Sequence, residues 1–203
     1  MYAIVENNQI TQYVNFPKSI VIGDVRYPAK IFELWSKDEK EAIGIYEIVV
    51  DKTNYKDPGY YINTNSSYTF ADGQVTESWG TATPKRLEDE NAVDEDGDPV
   101  LDDDGVQLIN YGLKTEKKRI VKQQASGLLA PTDWYVVKAS EVADYSVPSN
   151  ITTFRADVRA KSNEMESQID ACNNVDELKA LYEYTIQEDG TQTRPLAEFP
   201  EEI

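Results

Sequence analysis

The chain has 203 residues, a formal net charge of −17 and no histidine. That length can bury a core as one domain or as two small ones. The charge argues against nucleic acid and anionic membrane surfaces, which recruit Lys and Arg, and the missing histidine removes the commonest general base, the commonest metal ligand and every Ser-His or Cys-His pair.

The single cysteine, Cys172, allows no internal disulfide and suits a cytoplasmic birthplace. No basic-then-apolar leader opens the sequence, and no apolar run approaches the ~20 residues that span a bilayer. The expectation is a protein neither exported by a signal peptide nor embedded in a membrane.

The N-terminal part reads as β-rich. Tyr2–Val5 and Gln9–Val14 flank Asn7-Asn8, residues that tolerate left-handed turns, so a hairpin is predicted almost at residue 1. Ser36 and Glu39 have capping-box spacing and predict one short helix over Lys37–Ile43, stopped by Gly44. Tyr46–Val50 reads as a strand. Ser67–Ala71 and Gln74–Gly80 flank Asp72-Gly73, a strong hairpin signal.

The middle changes character. From Glu88 to Asp104 there are ten acidic residues and no basic one. Asp94, Asp96 and Asp98 have the spacing of a calcium loop. However, Pro99 stands where that loop needs its glycine, and Gly105 where it needs a bidentate glutamate. The alternative is a solvated acidic loop, with a hairpin across Pro99–Asp102 and Asp-Gly turns, left mobile by its own repulsion. The sign then reverses at Lys114, Lys117, Lys118, Arg119 and Lys122, on a helix predicted from Leu113 to Ser126 and stopped by Gly127. No aromatics interleave with these residues, so the cluster reads as balancing the acidic loop or meeting an acidic partner.

Tyr135–Lys138 reads as extended. Val147-Pro148-Ser149 leads into the longest helix, with Ile151, Phe154, Val158, Met165, Ile169 and Cys172 forming its apolar stripe. Asn173-Asn174 makes a turn, Asn174 and Glu177 repeat the capping-box spacing, and Val175, Leu178, Leu181 and Tyr182 continue the apolar face. A helical hairpin over Ser149–Thr185 is expected, followed by an extended tail free to lie along a neighbour. The fold class is therefore α+β. A β-rich domain covers 1–83, an acidic linker 84–109, a helical domain 110–190 and an extended tail 191–203.

Thr132-Asp133-Trp134, then Phe154-Arg155 and Arg159, then Phe199-Pro200 form an ordered set. This set resembles the C-terminal region of tailed-bacteriophage tail-fibre assembly proteins, also known as phage tail assembly chaperones. Their pattern runs L-x-x-T-D-W, Y-R-x-x-x-R, W-P. Here Phe154 replaces the tyrosine and Phe199 the final tryptophan, and the likeness covers roughly the last third of the chain.

The resemblance implies a non-enzymatic tail protein that binds a tail fibre or baseplate component, as an assembly chaperone or as an adaptor retained in the virion. It would act in the host cytoplasm during assembly or in the virion tail. Trp134, Phe154, Arg155, Arg159, Met165 and Phe199 are the partner-binding residues so implied, with self-association as a further option. Read singly, the same residues have structural roles: Trp134 a core anchor against the long helix, Asp133 a turn or cap, Arg155 and Arg159 an i, i+4 pair. No catalytic residue and no cofactor is indicated. Two other classes remain open: a calcium-dependent binding module at Asp94–Asp104, and a carboxylate-based hydrolase, for which no motif marks a nucleophile or phosphate loop.

Overall fold

The computed structural model describes residues 1–202. The chain forms two compact units, Met1–Thr83 and Pro84–Ile203. The fold is α+β, with strands dominating the first unit and helices the second.

In the first unit, β1 (Tyr2–Glu6) and β2 (Gln9–Val14) form an antiparallel hairpin. Asn7 and Asn8 carry φ values of 51° and 62°, the pair of positive angles that a type I′ turn requires. The hairpin β3 (Ile20–Ile22) and β4 (Val25–Tyr27) follows, then α1 (Ile31–Leu34) and α2 (Lys37–Glu41). The sequence signals one short helix and the unit has two. The first is a single turn begun by Ile31 N–H to Pro28 O, with no side-chain cap to advertise it. The second carries its capping box: Ser36 Oγ accepts from Glu39 N at 3.2 Å, and Glu39 Oε2 accepts from Ser36 N at 2.8 Å. The Ser36 backbone N–H and, at 2.9 Å, the Ser36 hydroxyl both donate to Glu39 Oε2 and hold the Glu39 carboxyl below its ordinary range.

Strand β5 (Ile45–Asp51) changes partners along its length. Ile45 pairs antiparallel with Ile4 of β1, whereas Ile48 pairs parallel with Val75 of β8 (Gln74–Trp79). The short β6 (Tyr61–Ile62) and then β7 (Ser66–Ala71) precede β8, and the β7–β8 turn has φ values of 51° at Asp72 and 73° at Gly73. The sheet order is β2-β1-β5-β8-β7. The sheet curls until its edges meet, with the Tyr13 and Tyr68 rings 4.7 Å apart. Alternation along β1 sends Ala3 and Val5 to one core with Ile48 and Val75, and Ile4 to the other with Val14, Ile20, Ile31, Phe32 and Ile45. Gly44, at φ 84°, admits this fold: a Cβ there would stand 2.5 Å from Val5 O, whose residue donates its N–H to Gly44 O at 2.8 Å.

The second unit starts from β9 (Thr83–Pro84), which spans the boundary, and the acidic run that follows is ordered by hydrogen bonds. The pair β10 (Glu90–Asn91) and β11 (Ile109–Asn110) forms a stem, and two hairpin arms are bridged at Val93–Pro99 and Leu101–Gln107. The chain reverses at each Asp-Gly turn, not across Pro99–Asp102. Asp94 Oδ1 accepts from the Asp96 and Asp98 N–H groups at 3.0 and 2.9 Å, and Asp102 Oδ1 from Asp104 and Val106 at 3.0 and 2.8 Å. Gly97 and Gly105 supply the positive φ, 88° and 78°.

The three arms meet in a ring. Val100 N donates to Ala92 O at 3.0 Å, Leu108 N to Val100 O at 2.9 Å, and Ala92 N to Leu108 O at 2.8 Å. The Gln107 side-chain nitrogen sits over this ring, 2.7, 3.1 and 3.1 Å from the carbonyls of Ala92, Val100 and Leu108.

Helix α3 (Leu113–Leu129) continues through Gly127, which costs the helix only about 1 kcal/mol relative to alanine. A 3-10 turn over Ala130–Thr132 leads into α4 (Asp133–Glu141). Tyr135–Lys138 is thus helical, not extended: Pro131 is placed in the first turn, where its missing N–H is harmless, and Asp133 opens the helix. The long helix is α5 (Ser149–Ala171). Its main partner is α3, not a second hairpin limb, because α6 (Val175–Ala180) is short. Lys118 Nζ meets Asp170 Oδ1 at 2.7 Å, Lys122 Nζ meets Glu166 Oε2 at 3.2 Å, and Lys114 Nζ meets Asp170 O at 3.0 Å and Glu88 Oε1 at 2.5 Å. The basic cluster therefore serves α5 as well as the acidic run.

The tail is not free. The strands β12 (Thr185–Ile186) and β13 (Gln192–Thr193) pair, and Leu196 is buried with its N–H on Leu181 O at 3.0 Å. Gln168 of α5 brackets it, donating to Pro195 O at 3.0 Å and accepting from Ala197 N at 2.8 Å.

Candidate partner-binding surface

Three pieces of the ordered C-terminal set converge in the second unit. Arg155 is buried on α5, and its Nη1 donates to Leu129 O at 3.0 Å and to Thr132 Oγ1 at 2.5 Å, and pairs with Asp133 Oδ1 at 2.8 Å. Thr132 Oγ1 in turn donates to Leu129 O at 2.7 Å. A guanidinium is suited to this task because its N–H groups lie in one rigid plane and stay protonated. The contacts fix the corner between α3 and α4 at the last α3 carbonyl, the 3-10 turn and the first α4 side chain. Beneath the corner, Phe154, Val158 and Ala125 form a core against which Leu128, Leu129 and Phe199 pack. Arg159 contributes one bond, Nη1 to Arg155 O at 3.2 Å, and is otherwise exposed.

The corner projects α4 outward, and no residue of α4 is buried. Trp134 is 52% exposed, and Val136, Val137 and the following Val142 are exposed with it. This corrects the expectation of Trp134 as a core anchor against the long helix. The Trp134 ring instead lies 3.9 Å from the Tyr135 ring, with Lys138 Nζ 5.7 Å from its centroid and 4.3 Å from that of Tyr145. Local stacking holds these rings while leaving the apolar edge in water.

The other expected contact residues are disposed differently. Met165 is 1% exposed and sits in the core with Ile169, so a partner cannot reach it without opening the unit. Phe154 and Arg155 are buried, Phe199 is half-buried on Phe154, and Arg159 is exposed. Val136 and Val137 were missed in the sequence because Tyr-Val-Val reads as a strand, where valines bury.

Asp94, Asp96 and Asp98 do not form a ligand set. The Asp94 carboxylate is engaged by turn N–H groups, and among the described residues no group of three His, Cys, Asp or Glu side chains could hold a metal ion. Cys172 is buried, and burial pushes its thiol pKa up, which makes it a poor nucleophile. Among the described residues no helix is long and apolar enough to cross a membrane. No family model matches the sequence, and neither curated proteins nor solved structures give a match.

Proposed function

We propose that this chain is a non-enzymatic bacteriophage tail protein that binds a tail fibre or baseplate component through α4, as an assembly chaperone or as an adaptor kept in the virion. One observation carries the reading: a nine-residue helix without a buried residue, carrying an exposed tryptophan and exposed valines. Such a surface is what an interface uses, since tryptophan is enriched among residues that dominate binding energy. The resemblance to tail-fibre assembly proteins supplies the class of partner. Its residues Thr132, Asp133 and Arg155 build the corner from which α4 projects, so the likeness and the exposed helix support the same surface.

The net charge of −17 favours a protein partner over nucleic acid or an anionic membrane. The site of action would be the host cytoplasm during assembly, or the virion tail.

The test is co-expression of the full chain with the tail-fibre and baseplate proteins encoded by its phage. Co-purification with one of them is expected, with loss in Trp134→Ala combined with Val137→Ser and an unchanged thermal melt. Mass spectrometry of purified virions then separates chaperone from adaptor. Co-purification that survives the double substitution would remove α4 from the interface, and failure to bind any tail protein would remove the reading itself.

A further inference from the structure

The three-arm element formed by residues 90–111 has its own exposed apolar face, separate from α4. Val93, Leu101 and Ile109 are between 45% and 57% exposed, and the pairs Asn91–Ile109, Val93–Pro99 and Leu101–Gln107 around the ring put them on one side of it. An element this small has almost no interior, and its shape is held by the Ala92–Val100–Leu108 ring and the Gln107 amide. The apolar side chains are therefore presented on a fixed frame and not collapsed inward.

The two arm tips beside that face carry one sign of charge. Glu95, Asp96, Asp98, Asp103 and Asp104 stand at the two arm tips and make no ion pair among the described residues. No basic residue occurs between Arg86 and Lys114. Asp94 and Asp102 are occupied by turn N–H groups and do not belong to this set. An apolar face set beside two arm tips of uncompensated carboxylates selects its occupant by charge. Phosphates and anionic lipids are repelled, and a second copy would bring the same carboxylates face to face.

The geometry points to the three-arm element as a docking platform for a cationic, amphipathic protein segment. Its Lys or Arg residues meet the arm-tip carboxylates, and its apolar residues cover Val93, Leu101 and Ile109.

The test uses the full chain and two labelled decapeptides, one alternating Lys with Leu and one alternating Lys with Gly, followed by fluorescence anisotropy. The Lys-Leu peptide is expected to bind more tightly. Substituting Glu95→Gln, Asp96→Asn, Asp98→Asn, Asp103→Asn and Asp104→Asn together is expected to weaken it at least about tenfold, the scale of several exposed ion pairs. Replacing Asp144, Asp157, Glu188, Glu201 and Glu202 by their amides makes the same change in net charge and is expected to leave binding unchanged. The arm variant keeps Asp94, Asp102 and Gln107, and amide-proton exchange at Ala92, Val100 and Leu108 checks that the ring persists. Val93→Ser with Leu101→Ser is expected to abolish the preference for Lys-Leu over Lys-Gly.

Equal losses in the two amide variants would reduce the effect to net charge and overturn the proposal, as would equal binding of the two peptides. Blocking by millimolar calcium but not by matched ionic strength would make the arms a cation site instead. A dimer in sedimentation that Leu101→Ser dissolves would make the face a self-interface, which also overturns the proposal.

Discussion

Arg155 on α5 and Thr132 in the turn before α4 are joined by a 2.5 Å hydrogen bond from Nη1 to Oγ1 across 23 residues of sequence. The same nitrogen reaches Leu129 O and Asp133 Oδ1, so one guanidinium closes a helix end, a 3-10 turn and a helix start. Helix α4 has no buried residue of its own, and this corner is what sets its direction.

Removing the guanidinium should be costly. Arg155→Ala removes the buried donor of Thr132 Oγ1 and leaves the last α3 carbonyl with the Thr132 hydroxyl alone, and should destabilise the chain by about 2–3 kcal/mol. Asp133 is largely exposed, so its ion pair adds little to that figure. Arg155→Lys should recover only part, because an ammonium cannot reproduce the planar fork. Urea denaturation measures both, and wild-type stability in Arg155→Lys would show that the fork geometry is irrelevant.

Trp134→Ala should change stability by no more than about 0.5 kcal/mol, the range for exposed sites away from special features. A core tryptophan would cost about 3–5 kcal/mol. A thermal melt distinguishes the two, and a large loss would mean that the α4 face is covered within the folded chain.

What the sequence made legible was local. Asn7-Asn8 and Asp72-Gly73 announce their hairpins because positive φ is a property of those residues. Ser36 and Asn174 announce helix starts because each cap spans three residues. The α5 stripe is visible because Val158, Met165 and Ile169 share one buried face. Helix α4 has no such face, so it shows no period, and the β preference of Tyr135-Val136-Val137 outweighed the Pro131 and Asp133 start signals. The Arg155 contacts join residues 23 apart, and no spacing rule reaches that far. The arms carry a signal of their own in the sequence: Asp94, Asp96 and Gly97 recur eight residues on as Asp102, Asp104 and Gly105.

Gln107 gives a sharp test of the arms. An amide nitrogen carries two hydrogens, shared here among three carbonyls at the ring. Gln107→Glu keeps the shape but replaces donors by a carboxylate facing acceptors. Amide-proton exchange at Ala92, Val100 and Leu108 should accelerate at least about tenfold, as local opening becomes easier. Unchanged protection would mean that the ring stands without its cover.

The tail should behave as part of the second unit. Leu196 is 2% exposed, and truncating a buried leucine to alanine costs about 2–5 kcal/mol. Leu196→Ala should therefore lower the melting temperature of the chain. Limited proteolysis should also cut the variant near Pro195 faster than wild type. A wild-type melting temperature would mean that the tail detaches readily and is available to a neighbour after all.

The turn into α6 should give the second unit part of its acid sensitivity. Glu177 Oε2 accepts from Asn173 N at 2.7 Å, and its Oε1 accepts from Asn174 Nδ2 at 2.7 Å, while Glu177 N donates to Asn174 Oδ1 at 2.9 Å. The Asn173 backbone N–H is the largest cause holding this carboxyl below its ordinary range, with the two asparagine side chains adding to it. A folded pKa below the unfolded value means that the unfolded chain binds the proton more readily. The contribution is therefore fully present above the unfolded pKa of about 4.3 and is lost as pH falls through the lower folded value. Glu177→Gln preserves an oxygen acceptor for Asn173 N but cannot titrate. The variant should be less stable than wild type at neutral pH, and the gap should narrow as pH drops below 4.3, approximately the unfolded glutamate value. Chemical denaturation from neutral pH to about pH 3 measures this, across the window in which glutamates titrate. A gap that stays constant through that range would show that the Asn173–Glu177 contact contributes nothing through its charge.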